Sequence, residues 1–229
     1  MMAEAPANAR LVHGRPRAQA RVRLVADLAC PWCYIAFVRL RRLVARAPVE
    51  LVWHPFLLNP YLPREGVARA HYLERKFGSP TQAQSVVRRI AAIGAQEGIR
   101  FRFAAIDTQP NTALAHALVL TAAEHGRLVE AVQAVFRAFF EEGADIGRIE
   151  TLQPIAAAIG LSETARTALA EPARLAEVAA AHERAYALGI NGVPVFVFGE
   201  DHLIAGAQPD EALEALLDLE LYRRRDTAG

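Results

Sequence analysis

The two cysteines are the residues of this sequence best suited to chemistry. Cys30 and Cys33 are the only cysteines in the 229-residue chain, and two residues separate them. Side chains one helical turn apart lie on the same face, with Cβ atoms about 5–6 Å apart. A disulfide spans Cα atoms about 4.4–6.8 Å apart, so the pair could close and open with little backbone movement. The spacing therefore predicts thiol–disulfide exchange.

The position of the pair makes its two sulfurs unequal. A strand pattern ends near Asp27 and a helical pattern follows the cysteines, which places Cys30 at a helix N-terminus and Pro31 at the first helical position. Free backbone amides and the helix dipole favour a thiolate there. Cys30 is expected to be the attacking sulfur, and Cys33, one turn inside, the buried resolving thiol.

Three other interpretations of the pair compete with redox chemistry. Two inert, buried cysteines would show the same spacing. Structural zinc needs four ligands, and the sequence has no second CxxC or closely spaced histidine pair. The CPWCY run also resembles the signature around a papain-like nucleophile, with His182 and Asn191 at a suitable distance. His182 falls in an alanine-rich helical stretch, however, and few strand patterns follow, which argues against that class.

The segments around the cysteines predict a strand, a helix and a second strand. Residues 21–27 alternate between apolar and polar, a helical pattern runs to Pro48, and 49–56 again suits a strand. Two strands joined by a helix in this way are parallel, with a right-handed crossover. After Asn191-Gly192-Val193-Pro194, residues 195–198 and 202–205 predict a hairpin, and 208–224 a closing helix. The fold class is α/β.

Between these two parts, the chain from Pro63 to Gly189 is mostly amphipathic helix. Ser79-Pro80 marks one helix start, and 98–110 is a long connection that suggests a functional loop. Placing Pro154 in a first helical turn puts that helix start near Thr151. The remaining helices are predicted at 111–125, 127–142, 151–159, 162–170 and 173–188.

Composition excludes several functions. The net charge is +1, so no strong field recruits nucleic acid or an anionic membrane. No apolar run approaches the roughly 18 residues of a membrane-spanning helix. The first 20 residues lack the apolar run of a secretory signal, and we expect a flexible arm over 1–20 and a cytoplasmic protein.

The motifs together resemble the FrnE branch of the DsbA-type thioredoxin-fold oxidoreductases. The matching runs are LACPWCY, WHPFLLNP, REGVARAHYLERKFGSP, DTQPNTALAH, GINGVPVFVF and AGAQP, which occur in this order across roughly residues 22–215. The resemblance implies a thioredoxin-like domain from 21–62 and 173–225, interrupted by an all-helical insertion at 63–172. It also implies a redox-active Cys30–Cys33 pair and a cis Val193–Pro194 bond.

The same architecture is shared by kappa-class glutathione transferases and 2-hydroxychromene-2-carboxylate isomerases. Such relatives typically carry serine at the reactive position, so two retained cysteines favour redox chemistry over isomerisation. A glutathione-dependent isomerase or transferase is the alternative. DsbA itself has histidine where Trp32 stands, so this couple should be less oxidising. No metal or dissociable cofactor is expected. The expected partners are disulfide or dithiol substrates, with glutathione a candidate co-substrate; a homodimer is left open.

Several further residues are candidates for the site. Asp27 could relay a proton for the buried thiol or simply cap the helix. By resemblance, Asn111, Thr112 and His116 approach a substrate groove; the plainer interpretation is a helix cap and a packed histidine. Trp32 is expected on the surface, where it would contact apolar substrate, and Val193 precedes the cis proline.

Three other positions are weaker candidates. Gly206-Ala207-Gln208 could open the last helix with amides able to hold a carboxylate, or be an ordinary helix start. His54 could approach the site but suits a half-buried strand position. Asn59 suits a turn.

Overall fold

A four-stranded sheet carries the cysteine helix. The computed structural model describes residues 20–199 and 202–226, so the predicted arm lies outside it, apart from Ala20. Strands β1 (Ala20–Ala26) and β2 (Val49–Pro55) are joined by α1 (Pro31–Val44) and pair in parallel, with Ala20 opposite Val49. The predicted strand–helix–strand unit is confirmed.

The hairpin completes the sheet on the other side of β1. Strands β5 (Val195–Phe198) and β6 (His202–Ala205) are antiparallel to each other, and β5 is antiparallel to β1. The strand order is β2-β1-β5-β6. All four residues of β5 are buried. The hairpin loop residues Glu200 and Asp201 lie outside the described residues.

Seven helices lie between β2 and β5. They are α2 (Arg69–Phe77), α3 (Pro80–Gln96), α4 (Ala113–Glu124), α5 (Leu128–Phe140), α6 (Ile149–Ala158), α7 (Ser162–Ala170) and α8 (Pro172–Ala187), and α9 (Asp210–Asp226) closes the described chain. The Ser79 hydroxyl accepts a hydrogen bond from the Gln82 amide at 3.3 Å and so caps α3, as predicted.

The insertion also contains a small sheet, so it is not all-helical. Strands β3 (Val67–Ala68) and β4 (Thr108–Gln109) pair antiparallel. Two residues are too few for a strand period to be visible in the sequence. Gly66 lets the chain approach β4: its φ is +76°, and a Cβ there would lie 2.6 Å from the Gln109 carbonyl oxygen.

Three helix starts differ by two residues from those predicted, and the first is α4, which begins at Ala113 and not at residue 111. Helix α6 begins at Ile149, two residues before Thr151, so Pro154 lies in the second turn and gives no amide to the preceding turn. Helix α9 begins at Asp210, two residues after Gln208. The Gln208 amide donates instead to the Gly206 carbonyl at 2.9 Å, which holds the segment in a turn.

One core joins the sheet to the insertion. Tyr34 on α1 stacks on Phe136 of α5, with ring centroids 4.7 Å apart, and its hydroxyl donates to Glu141 at 2.7 Å. Phe37 is fully buried and also faces Phe136. The helix that carries the cysteines is therefore held between β-sheet and insertion. Of the helices described, none is both long and apolar enough to cross a bilayer.

Candidate active site

The two cysteines lie at the start of α1, as the sequence predicts. Cys30 is the N-cap residue in extended conformation and Pro31 begins the helix. The Cys33 amide donates to the Cys30 carbonyl at 3.0 Å, which fixes the first turn. Both residues are free thiols. Cys30 is only 4% exposed and Cys33 is fully buried, so Cys30 is less accessible than a helix start alone suggests.

The environment separates the two thiols chemically. Complete burial raises the pKa of Cys33 well above its ordinary value, and the adjacent Cys30 sulfur raises it further. Cys33 therefore holds its proton at neutral pH while Cys30 is unmodified. This matches the order expected of a resolving thiol, which must react only after its neighbour.

The loop before β5 faces the Cys30 sulfur. The Val193–Pro194 peptide bond is cis, and the Val193 carbonyl oxygen lies 3.8 Å from Cys30 Sγ, close enough to accept its S–H. The Gly206 amide donates to the Pro194 carbonyl at 2.8 Å and holds the loop against the end of β6. Val193, which precedes the cis proline, thus meets Cys30, although they are 163 residues apart in sequence.

Asp27 is buried near the pair but does not cap α1, because both amides that its carboxylate binds lie outside that helix. Its carboxylate accepts the Ala29 amide at 2.8 Å and the Leu58 amide at 2.6 Å. Burial nevertheless raises its pKa, and the Thr112 side chain lowers it in part. Its charge also acts on Cys33. A buried carboxyl of raised pKa near a thiol is suited to exchanging protons with it.

Asn111 and Thr112 have mainly structural contacts. Asn111 donates from Nδ2 to the Leu62 carbonyl at 2.9 Å and accepts the Ala113 amide at 3.0 Å, so its polar atoms are occupied by backbone. Thr112 is buried beside Asp27. Thr112 therefore reaches the site through Asp27, whereas Asn111 binds the first amide of α4, whose N-cap residue is Thr112.

His116 does not face the site. It is completely buried, and the Trp53 indole donates to its Nδ1 at 3.1 Å. Its Nε2 has no hydrogen-bond partner of normal geometry among the described residues. Burial lowers its pKa to about 3, so the ring is neutral. A helix-start motif cannot show which side of the helix the core covers, and here the core covers His116.

The weaker candidates also have other contacts. His54 Nε2 lies 2.8 Å from the Ala181 carbonyl oxygen, and His182 Nδ1 accepts the Leu57 amide at 3.3 Å. His182 lies inside α8, away from any papain-like arrangement. Asn59 lies in a separate surface pocket beside Tyr61.

Gly206 and Ala207 do not form a helix N-terminus, because α9 begins at Asp210. The Gly206 amide is taken by Pro194. The Ala207 carbonyl accepts Arg39 Nη1 at 2.9 Å, which fixes this segment on α1. The predicted carboxylate site at these amides is therefore not formed as expected.

Cys30 opens onto a cavity of about 200 Å³. Its walls come from the start of α1 and from α2 and α3 of the insertion, and they include Trp32, Leu58, Arg69, Tyr72 and Lys76. Trp32 is half-buried in this wall instead of lying on the open surface. Sequence reasoning did not single out Arg69, Tyr72 or Lys76; the run REGVARAHYLERKFGSP carried them, but nothing in it showed which side faces the cysteine.

The sheet, the insertion and the cysteine pair all fall within the range that a known family matches. The model of the DSBA-like thioredoxin domain matches residues 21–218. The chain belongs to the DSBA-like thioredoxin domain family. This DSBA-like chain is 33% identical to a probable DsbA oxidoreductase from Streptomyces coelicolor, whose crystal structure has a TM-score of 0.79 and is matched over 88% of this chain and 89% of that one.

More distant relatives of this DSBA-like chain have the same fold. The uncharacterized protein YwbO of Bacillus subtilis is 26% identical over 205 residues, which cover 89% of this chain and 98% of YwbO. The cytosolic disulfide reductase DsbM of Pseudomonas aeruginosa is 21% identical, with a TM-score of 0.63 over 87% of this chain and 99% of that one. A 2-hydroxychromene-2-carboxylate isomerase is 16% identical, with a TM-score of 0.68 over 91% and 100%. The last two likenesses show the fold alone.

Within the described ranges, no group of three or more histidine, cysteine, aspartate or glutamate side chains is arranged to hold a metal ion.

Proposed function

We propose that this protein is a dithiol–disulfide oxidoreductase in which Cys30 attacks and Cys33 resolves. The Cys30 thiolate attacks one sulfur of a substrate disulfide, which forms a Cys30–substrate disulfide and expels a substrate thiolate. Cys33 then loses its proton and attacks Cys30 Sγ, which expels the second substrate thiolate. The substrate gains two electrons and the protein is left with a Cys30–Cys33 disulfide. The reverse sequence oxidises a dithiol, and neither direction uses a cofactor.

The observation that carries this proposal is the unequal burial of two sulfurs one turn apart. Cys30 lines a cavity, whereas Cys33 is fully buried and its pKa is raised. Only Cys30 can meet a substrate first. The carbonyl of Val193, 3.8 Å from Cys30 Sγ, belongs to the backbone along which an extended substrate would lie.

Asp27 is proposed as the group that takes the Cys33 proton in the resolving step. Its carboxyl is buried and its pKa is raised, so it binds a proton more readily than an exposed aspartate does. Cys33 and Asp27 are both buried from bulk solvent, so a nearby base is needed if the Cys33 thiolate is to form.

A glutathione-dependent isomerase or transferase is the competing proposal, supported by the fold shared with the 2-hydroxychromene-2-carboxylate isomerase. Such an enzyme keeps glutathione as a thiol cofactor and has no use for a second protein sulfur. Cys33 would attack any Cys30–glutathione disulfide and release the glutathione. Isomerase turnover by a Cys33→Ser variant at the full rate would favour this alternative.

Three further properties are also proposals: membership of the FrnE branch, a cytoplasmic location and glutathione as a redox partner. The CPWCY, NGVP and AGAQP motifs support the FrnE branch. A cytoplasmic location and glutathione as a redox partner are in line with DsbM, a cytosolic disulfide reductase whose structure with GSH is also similar. Fractionation of cells would test the location, and turnover of glutathione disulfide the partner.

Turnover of insulin disulfides tests the proposed function. With dithiothreitol as reductant, the wild-type protein should accelerate insulin reduction, Cys30→Ala should abolish the acceleration, and Cys33→Ala should impair it. Thr121→Val is a control of comparable burial that lies away from the site, where the hydroxyl only contacts the Ala117 carbonyl. Acceleration of insulin reduction by Cys30→Ala above the uncatalysed rate with dithiothreitol would refute the assignment.

A further inference from the structure

A buried arginine on the cavity wall has no acidic partner. Arg69, the first residue of α2, is 7% exposed. Its Nη1 donates to the Gln109 side-chain oxygen, and its Nε has no hydrogen-bond partner among the described residues. No carboxylate of those residues forms an ion pair with it. Burial lowers the pKa of this guanidinium to about 10.

The groups that do contact Arg69 are neutral. Gln109 is itself buried, and the Phe139 ring lies 5.7 Å from the guanidinium carbon. Burying a charge is costly unless an opposite charge or a full set of hydrogen bonds compensates for it. An amide oxygen and an aromatic face compensate only in part. Within the part of the protein that is described, the charge of Arg69 therefore has neither an opposite charge nor a full set of hydrogen bonds to compensate for its burial.

A second cation lines the same cavity. Lys76, the only lysine of the chain, lies on this wall, and its ammonium donates to the Tyr72 hydroxyl at 2.9 Å. Among the residues that the structure describes, the lining includes no aspartate or glutamate, and apart from these two cations it is largely apolar. The cavity next to Cys30 thus combines positive charge with apolar walls.

We propose that Arg69, with Lys76, binds a carboxylate of the substrate whose sulfur Cys30 attacks. The inference rests on the proposed function, because it names the substrate class of the same site: a low-molecular-weight disulfide, or thiol, whose body is apolar and which carries a carboxylate. Planar guanidinium groups bind carboxylates through paired hydrogen bonds. Arg69 lines the cavity, and its Nε has no hydrogen-bond partner among the described residues that a carboxylate would have to displace.

The size of the cavity limits what it holds. Its volume of about 200 Å³ is below the roughly 300–1,000 Å³ of most small-molecule sites. It suits one arm of a disulfide, such as a single ring with its carboxylate, while the leaving arm remains outside. Trp32 and Phe103 supply apolar surface for such a ring.

Two aromatic disulfides separate this role from others. In a Cys33→Ala background, only Cys30 can react: its thiolate attacks the disulfide, forms one mixed disulfide and releases one coloured aryl thiolate. The probes are dithiobis(nitrobenzoate), which carries a carboxylate on each ring, and dithiodipyridine, which carries none. Stopped flow measures the second-order rate constants with both probes. The proteins compared are the Cys33→Ala parent and the same protein with Arg69→Met, Arg69→Lys or Arg88→Gln added. Arg88 is exposed on α3 and contacts Gln84.

The carboxylate probe should discriminate between these variants. Arg69→Met removes a charge-assisted hydrogen bond to the carboxylate. It should therefore lower the rate constant for dithiobis(nitrobenzoate) about tenfold or more and leave the rate constant for dithiodipyridine nearly unchanged. The rate constant of Arg69→Lys with dithiobis(nitrobenzoate) should lie between those of Arg69→Met and the parent, and that of Arg88→Gln should equal the parent's. Equal slowing of both probes would overturn the proposal, because Arg69 would then act on the Cys30 thiolate or on the fold. No slowing of either would also overturn it. If the parent reacts with neither probe, the proposed role of Cys30 fails first.

Discussion

Lowering the pH should destabilise this protein through one buried histidine. His116 is fully buried and neutral, with its Nδ1 bound to the Trp53 indole and a pKa of about 3. In the unfolded chain the same ring has a pKa near 6.5. Because the folded state binds the proton more weakly, stability is lost as the pH falls below about 6.5, and the loss continues until about pH 3.

The size of the effect follows from these two pKa values. Their difference corresponds to about 5 kcal/mol once the pH is below both. Between pH 7 and pH 5 the unfolded ring takes up its proton while the folded ring does not, which lowers the free energy of unfolding by about 2 kcal/mol. His116→Asn keeps an oxygen to accept from Trp53 and cannot titrate, so the variant should lack this contribution.

Urea unfolding at pH 7 and pH 5, followed by circular dichroism, measures the difference. Wild-type protein and His71→Asn, which changes an exposed histidine, should share one pH dependence. His116→Asn should be less stable at pH 7 but should lose about 2 kcal/mol less on acidification. The same loss in His116→Asn and in the wild type would refute the assignment of a neutral, buried His116.

Three further predictions concern the site. Under limiting iodoacetamide, peptide mapping of reduced protein should find Cys30 labelled first and Cys33 labelled only at higher pH, because burial raises the Cys33 pKa; equal labelling would contradict the roles. Asp27→Asn removes the titratable carboxyl, so stopped-flow resolution of the mixed disulfide should slow; an unchanged resolving rate would exclude the proton transfer. With Trp32 in place of histidine, equilibration with glutathione buffers should give a potential on the order of −150 to −260 mV, and Trp32→His should make it more oxidising; no change would refute the Trp32 effect.

Local patterns were sufficient to predict most of the fold. The α/β class, the strand–helix–strand unit and the hairpin follow from alternation and helical spacing, and α7 spans Ser162–Ala170 as expected. The β3–β4 pair could not be predicted in this way, because its pairing depends on a close approach at Gly66. The preference of proline for a first helical turn placed the start of α6 near Thr151. The helix begins at Ile149 and accommodates Pro154 in its second turn, which that preference cannot predict.

The site was predictable only where chemistry is tied to local position. Cys30 and Cys33 lie at a helix start that the sequence itself marks. The burial of His116 and of Arg69 depends on which helix face meets the rest of the molecule, and a single motif cannot show that. The cavity is formed by α2 and α3, so the cation next to Cys30 becomes visible only when the insertion is folded over the cysteine helix.

Trapping the covalent intermediate tests the central claim most directly. Reduced Cys33→Ala protein is mixed with glutathione disulfide, quenched in acid and digested, and the glutathionylated peptide is identified by mass spectrometry. The proposed mechanism predicts one glutathione per chain, on Cys30, that persists in Cys33→Ala and is lost within the mixing time in the wild type. Glutathione found on Cys33 in a Cys30→Ala protein at a comparable rate, or an adduct on Cys30 that the wild-type Cys33 fails to release, would contradict it.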